Sequence, residues 1–284
     1  MSGALVVRSV GGPVLVQDAG RAGHAAIGVG ASGAADRASY ALGNRLVGNE
    51  PGAAVLEVVL GGLEVEATGL AWVCVTGAPA PLEVDGRREP SGAVLALRPG
   101  QRLRLGTPPT GLRSYLAVRG GVDVAPLLGS RSRDTLAGLG PEPVRAGDRI
   151  AIGRDVAGDI LVDAVPPQSY DEGPVVRVVR GPRDDWAADP DALVTRTWRV
   201  GAASDRVGLR LEGEPLAVVP GRGELPSEGA LRGAVQLPPD GRPVVFGPDH
   251  PVTGGYPVVA VVADADTDRL AQLRPGEELR FRWA

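Results

Sequence analysis

Short runs of alternating apolar and polar residues, parted by glycine, proline or Asp-Gly, fill most of this chain and predict strands. Residues 5–16, LVVRSVGGPVLV, read as a strand, a Gly-Gly-Pro turn and a second strand. The pattern continues from Val55 to Leu105 through LEVVLGGLEVEA and LAWVCVTG, with turn signals at Asp85-Gly86 and Arg98-Pro99-Gly100. Tyr115 to Ser132 carries a strand, a Gly-Gly break and a polar loop; Arg131 and Arg133 beside it read either as an anion site or as solvated charges. Ala146 to Ile152 reads as a turn entering one more strand. Helical spacing is confined in the first half to Ala34–Val47, where Ala38, Leu42 and Leu46 fall one turn apart. The second half opens on a strand at 175–180, followed by an acidic-capped helical piece around Asp184 to Leu193. A hairpin is predicted from Gly233–Leu237 and Pro243–Phe246, joined by Pro238-Pro239-Asp240-Gly241, before a last strand at Val258–Ala263.

Two phrases recur in the same order. Gly30–Arg37 (GASGAADR) is echoed by Gly201–Arg206 (GAASDR), and Leu97–Leu105 by Leu273–Phe281. Repetition on this scale predicts two similar β domains in tandem, 1–165 and 166–284. The linker falls between Ala157 and Gly173, where Pro166-Pro167-Gln168-Ser169 interrupts any period. Gly28 to Gly33 matches G-x-G-x-x-G, but it lacks a strong apolar strand before it and a βαβ unit around it, which argues against a dinucleotide site.

Composition changes this picture by exclusion. All 30 basic residues are Arg, so a Walker A, Schiff-base or biotinylated lysine is impossible in this chain. With only His24 and His250, a multi-histidine zinc site is not expected. A net charge of −4 and 4% aromatics give no footprint for a polyanion. The single Cys74, inside AWVCV, reads as a buried small hydrophobe of a reduced, cytoplasmic protein. The N-terminus lacks a signal-peptide pattern, and no apolar run reaches the length of a membrane span, so neither secretion nor insertion is expected.

Candidate chemistry concentrates in Ser227–Pro257, where nearly every polar residue adjoins a glycine or proline that stiffens it. Rigid loops on a β scaffold bind without a large ordering cost. Here Glu228 reads either as a general base or as an acceptor for backbone N–H groups, and Gln236 as an amide reader. His250 before Pro251 reads as a turn residue or a proton shuttle. Arg206 offers a planar fork for a carboxylate or phosphate.

The segments VQDAGRAGH, GASGAADR, ALGNRLVGN, YLAVRGGVDVAPLLGSRS, SDRVGLRLEG, SEGALRGAVQLPPDG and VTGGYP together resemble one family. It is the family of KipA, the C subunit of 5-oxoprolinase and allophanate hydrolase subunit 2, also called a biotin-dependent carboxyltransferase family. The resemblance covers nearly the whole chain. It implies a mainly β protein of two tandem cyclophilin-like β-barrel domains with a few short helices. The implied function is the C subunit of an ATP-dependent 5-oxoprolinase that opens 5-oxoproline to glutamate with the B and A subunits, with ATP and magnesium in the complex. The alternatives are a carboxyltransferase acting on urea or a similar amide, with biotin on another chain, or a non-catalytic KipA-like regulator binding a KipI-like protein. By the same resemblance, Asp205, Arg206, Glu228 and Gln236 are implied as catalytic, and Asp249, Thr253 and Tyr256 as substrate-binding. Gln17, Asp18, Arg21, Asp36 and Arg37 are their implied first-half counterparts. His250-Pro251 stands where many relatives carry Arg-Gln, a departure from the family pattern at the position of any binding role that the pair carries.

Overall fold

The computed structural model describes residues 3–170 and 173–284 and is mainly β, with three α-helices among the described residues. The chain separates into two compact units. The first comprises the chain up to Arg21, Ser32–Asp134 and Gly138–Tyr170; the second comprises Ala22–Ala31, Thr135–Ala137 and the residues from 173 onward. Two short segments of the first half thus belong to the second unit.

In the first unit the alternation works as a two-sheet code. One sheet runs Gly120–Val122, Arg149–Asp155, Ala4–Ser9, Glu64–Ala67, Arg102–Leu105, Leu82–Val84, Arg87–Glu89; the other runs Val14–Gln17, Val55–Val59, Arg113–Val118, Ala71–Gly77, Val94–Leu97. Arg102–Leu105 shows the rule plainly: its arginines are exposed while Leu103 and Leu105 are fully buried. Both sheets contribute to one core, which includes Leu5, Val16, Leu56, Val65, Val73, Leu103 and Leu116. The predicted helix forms at Arg37–Leu46, and Asp36 caps it by accepting from Ser39 N at 2.9 Å. Its Gly43 is required by packing, since a Cβ there would meet Thr76 Oγ1 at 3.1 Å and Ala117 Cβ at 3.2 Å. Cys74 is buried beneath this helix, and burial pushes its thiol up to about 12.

The second unit is a closed barrel, in order Val175–Arg180, Val258–Val262, Ala234–Gln236, Val244–Phe246, Gly208–Glu212, Thr197–Val200, Glu278–Trp283. Neighbouring strands run antiparallel except at the closure, where Val175–Arg180 lies parallel to Glu278–Trp283. Trp198 fills the barrel fully buried, with its indole N–H donating to Leu193 O at 2.9 Å. The acidic piece after Arg180 is a 3-10 turn, Asp184–Trp186, and a short helix, Ala192–Thr195, separated by the Pro190 that prevents one continuous helix. Apolar spacing did not reveal the helix Asp264–Leu270, although Asp264 and Asp266 in its first turn are a helix-start signal.

The repeat at 97–105 and 273–281 is structural. Gly100 and Gly276 both take positive φ, 85° and 88°. Gln101 Oε1 accepts from Arg98 N at 2.9 Å, as Glu277 Oε2 does from Arg274 N at 2.9 Å. The other repeat diverges: Asp36 caps a helix, whereas Asp205 Oδ1 accepts from Val207 N and Gly208 N at a turn into a strand.

The segment expected to link the domains is largely pinned to the first unit; its residues 171–172 lie outside the described ones. Val94 N donates to Asp163 O and Val165 N to Gly92 O, while Gln168 Oε1 accepts from Gly77 N at 2.8 Å and Ser39 Oγ at 2.9 Å. Leu161, 88% exposed, lies before these anchors. Limited chymotryptic digestion should therefore cut first after Leu161 and only later after Tyr170. An initial cut at Tyr170, read by fragment mass, would show that the anchors do not hold.

No helix among the described residues is long and apolar enough to cross a membrane.

Candidate functional site

The predicted hairpin forms, with Val235 opposite Val245, and its outer surface floors a cleft of about 560 Å³. The neighbouring strand Gly208–Glu212 buries Leu209 and Leu211 and turns Arg210 and Glu212 outward to the cleft. Asp205 stands at its rim, the hairpin turn supplies Asp240 and Arg242, and Gly254, Gly255 and Tyr256 form a wall. A second cavity of about 710 Å³, lined by Trp186, Leu225 and Leu237 among others, lies on the far side of Tyr256. The first cleft presents carboxylates and guanidinium groups close together, an arrangement suited to a small polar molecule carrying both donors and acceptors.

The implied residues divide sharply. Gln236, 5% exposed, lines the cleft and donates from Nε2 to Tyr256 O at 3.1 Å, leaving its second N–H and its Oε1 for a ligand. Tyr256 is 48% exposed and borders both cavities. Asp205 keeps a place at the rim with one oxygen committed to its turn. Thr253 is exposed on a short strand, Thr253–Gly254, outside both linings.

Arg206, implied as catalytic, is engaged by another residue of the protein. Its fork is already filled: Nε donates to Asp249 Oδ2 at 2.8 Å and Nη2 to Asp249 Oδ1 at 3.0 Å, with both side chains buried. Asp249 Oδ2 also accepts from Thr135 N at 2.9 Å and Thr135 Oγ1 at 2.7 Å. Asp249, implied as substrate-binding, is thus bonded to both Arg206 and Thr135. Glu228, also implied as catalytic, is engaged as well. It neither lines the cleft nor caps backbone amides, but accepts from Arg183 Nε at 3.1 and 3.2 Å and from Arg183 Nη2. This bond holds its carboxyl below the usual carboxylate range. His250 fits its turn reading: Nδ1 lies 2.7 Å from Pro251 O and the ring stacks on Phe246.

The first-half counterparts are interior residues. Asp18 Oδ1 accepts from Gly20 N, Ser130 Oγ and Ser132 Oγ at 2.6–2.8 Å, and Oδ2 from Arg131 N at 2.5 Å. Gln17 and Arg21 donate to Arg133 O and Ser132 O, respectively. Asp36 is the helix cap, and Arg37, the first residue of that helix, is half-buried. Pattern reading missed the buried Glu57 beside them, which accepts from Ala35 N and from Tyr115 OH, each at 2.9 Å. Burial and then the Glu57 charge push that hydroxyl well above its usual range. Arg210, Glu212, Arg242 and Arg183 were also missed, although the alternation of Gly208–Glu212 places the first two outward.

Among the described residues no three His, Cys, Asp or Glu side chains converge to hold a metal ion, and the Arg206 fork is taken by Asp249.

The carboxyltransferase domain family, subdomains A and B, matches residues 27–283. The chain is 38% identical to the 5-oxoprolinase C subunit of Escherichia coli (strain K12), over 94% of this chain and 86% of that protein. The solved structure of TTHA0988 is similar at 35% identity and a TM-score of 0.90, over 99% of this chain and 55% of that one. Kluyveromyces lactis urea carboxylase is similar at 27% identity and a TM-score of 0.91, over 98% of this chain and 27% of that one.

Proposed function

The chain belongs to the carboxyltransferase domain family, subdomains A and B, and on that premise we propose that it is the C subunit of a 5-oxoprolinase, opening 5-oxoproline to glutamate with the A and B subunits. The observation that carries this reading is the 38% identity to a 5-oxoprolinase C subunit across 94% of the chain. ATP and its magnesium belong to the assembled complex. The cytoplasm is the proposed compartment.

The cleft's part is to hold the substrate's N–C=O group. Gln236 offers both an amide acceptor and a donor, Tyr256 a hydroxyl, and Arg210 and Arg242 cationic donors toward a carboxylate or a polarised carbonyl oxygen. Asp205 at the rim accepts from N–H. The likeness to urea carboxylase favours a second reading, transfer of carboxyl to an amide nitrogen in the same cleft, with biotin on another chain because this one has no lysine.

The test is glutamate release from 5-oxoproline with this chain mixed with the A and B subunits. Turnover that requires ATP and all three chains is expected; urea-dependent consumption of carboxybiotin instead would establish the second reading. In that assay Glu228→Gln should keep kcat within about threefold, because its carboxylate already serves Arg183; a loss of about 10²-fold would make it a base after all.

A further inference from the structure

The wall between the two cavities is Gly254–Pro257. Gly254 borders the first cavity, Pro257 the second, and Gly255 and Tyr256 both. From below, this segment rests on the barrel: Gln236 Nε2 donates to Tyr256 O at 3.1 Å and Leu237 N to Pro257 O at 2.9 Å. The fit is close, since a Cβ on Gly254 would come within 2.4 Å of Gln236 Nε2.

Both ends of the wall lead to one residue. At the leading end Gly254 pairs with Glu228 in a ribbon of only two residues per strand, too short to hold its own register. The Glu228 carboxylate is gripped by the Arg183 fork through Nε and Nη2. At the trailing end the backbone N–H of Arg183 donates to Val258 O at 3.0 Å, the residue directly after Pro257. A planar guanidinium donating through two nitrogens, both to Oε1 and one also to Oε2, fixes direction as well as distance. The side chains are 39% and 33% exposed, so the pair adds little to global stability, and its effect is on local order.

We propose that Arg183, acting through Glu228, is a positioning residue that sets Gly254–Pro257 and with it the width of the cleft that takes the amide- or lactam-bearing substrate. The functional half of this proposal rests on reading that cleft as the substrate site. The latch itself does not, which allows the two to be tested apart.

Hydrogen exchange on the full chain tests the latch. In Arg183→Ala the amides of Ala230 and Leu237, which donate to Val252 O and Pro257 O at the two ends of the wall, should exchange about tenfold faster or more, with the melting temperature nearly unchanged. The charge swap R183E/E228R should restore protection, and Arg183→Lys, which keeps the charge but loses the fork, should fall between. Arg199→Ala, which removes an exposed ion pair to Glu278 elsewhere on the barrel, should leave these amides at the parent rate. Parent-rate exchange in Arg183→Ala overturns the latch. Where the parent chain supports glutamate release, Arg183→Ala should raise the KM for 5-oxoproline about tenfold with kcat within about threefold, and the swap should recover it. Faster exchange with an unchanged KM overturns the role in substrate binding. A parent chain that supports no release counts against the oxoprolinase reading alone; the exchange measurement still decides the latch.

Discussion

Arg206→Ala is expected to lower the stability of the second unit by about 3–5 kcal/mol, because it removes the guanidinium paired with the fully buried Asp249 carboxylate. The bonds from the Thr135 N–H and hydroxyl to Oδ2 stay in place, but neutral donors do not replace a bidentate guanidinium. For a unit of this size the melting temperature should fall by about 10 °C. Replacing both partners, R206M/D249L, should recover most of the loss, since it removes the unpaired charge along with the pair. Calorimetry on the three proteins checks this. A parent-like melt for Arg206→Ala with lost turnover would mean that the fork serves a ligand instead.

Asp18→Asn is expected to cost the first unit about 3 kcal/mol. The carboxylate accepts from two hydroxyls and two backbone amides, Gly20 and Arg131, while lying only 4% exposed. An isosteric amide keeps the volume but turns one accepting end into a donor facing donors. Urea unfolding reads the loss, and protease sensitivity should appear first in the 130–134 loop that Asp18 gathers. If the unfolding midpoint stays put and ligand affinity falls, Asp18 is a binding residue as the family resemblance implied.

These two residues show where the sequence was legible and where it was not. Alternation reports which way a side chain faces, so the strands Arg102–Leu105 and Glu278–Trp283 and the hairpin around Val235 and Val245 could be drawn from it. Glycines that need positive φ marked the turns at 100 and 276. What alternation does not report is pairing between distant polar groups. Arg206 and Asp249 are 43 residues apart and Arg183 and Glu228 are 45 apart, and nothing local distinguishes an arginine that will meet a carboxylate from one that will meet a substrate. Of the residues that the resemblance implied, Gln236 and Tyr256 line the cleft while Arg206 and Asp249 form a buried pair, and a family resemblance does not distinguish a polar residue retained for a pair from one retained for a ligand.

The barrel of the second unit is closed by its own first and last strands, Val175–Arg180 lying parallel to Glu278–Trp283. During synthesis, the first of these emerges long before the strand that completes it, and until Glu278–Trp283 arrives two strand edges face solvent. A closure that joins the most distant parts of the unit carries the full loop entropy before any of its contacts form, so it should come late in folding and set its rate. The nascent unit spends that interval as an open sheet, the form most exposed to pairing with another chain.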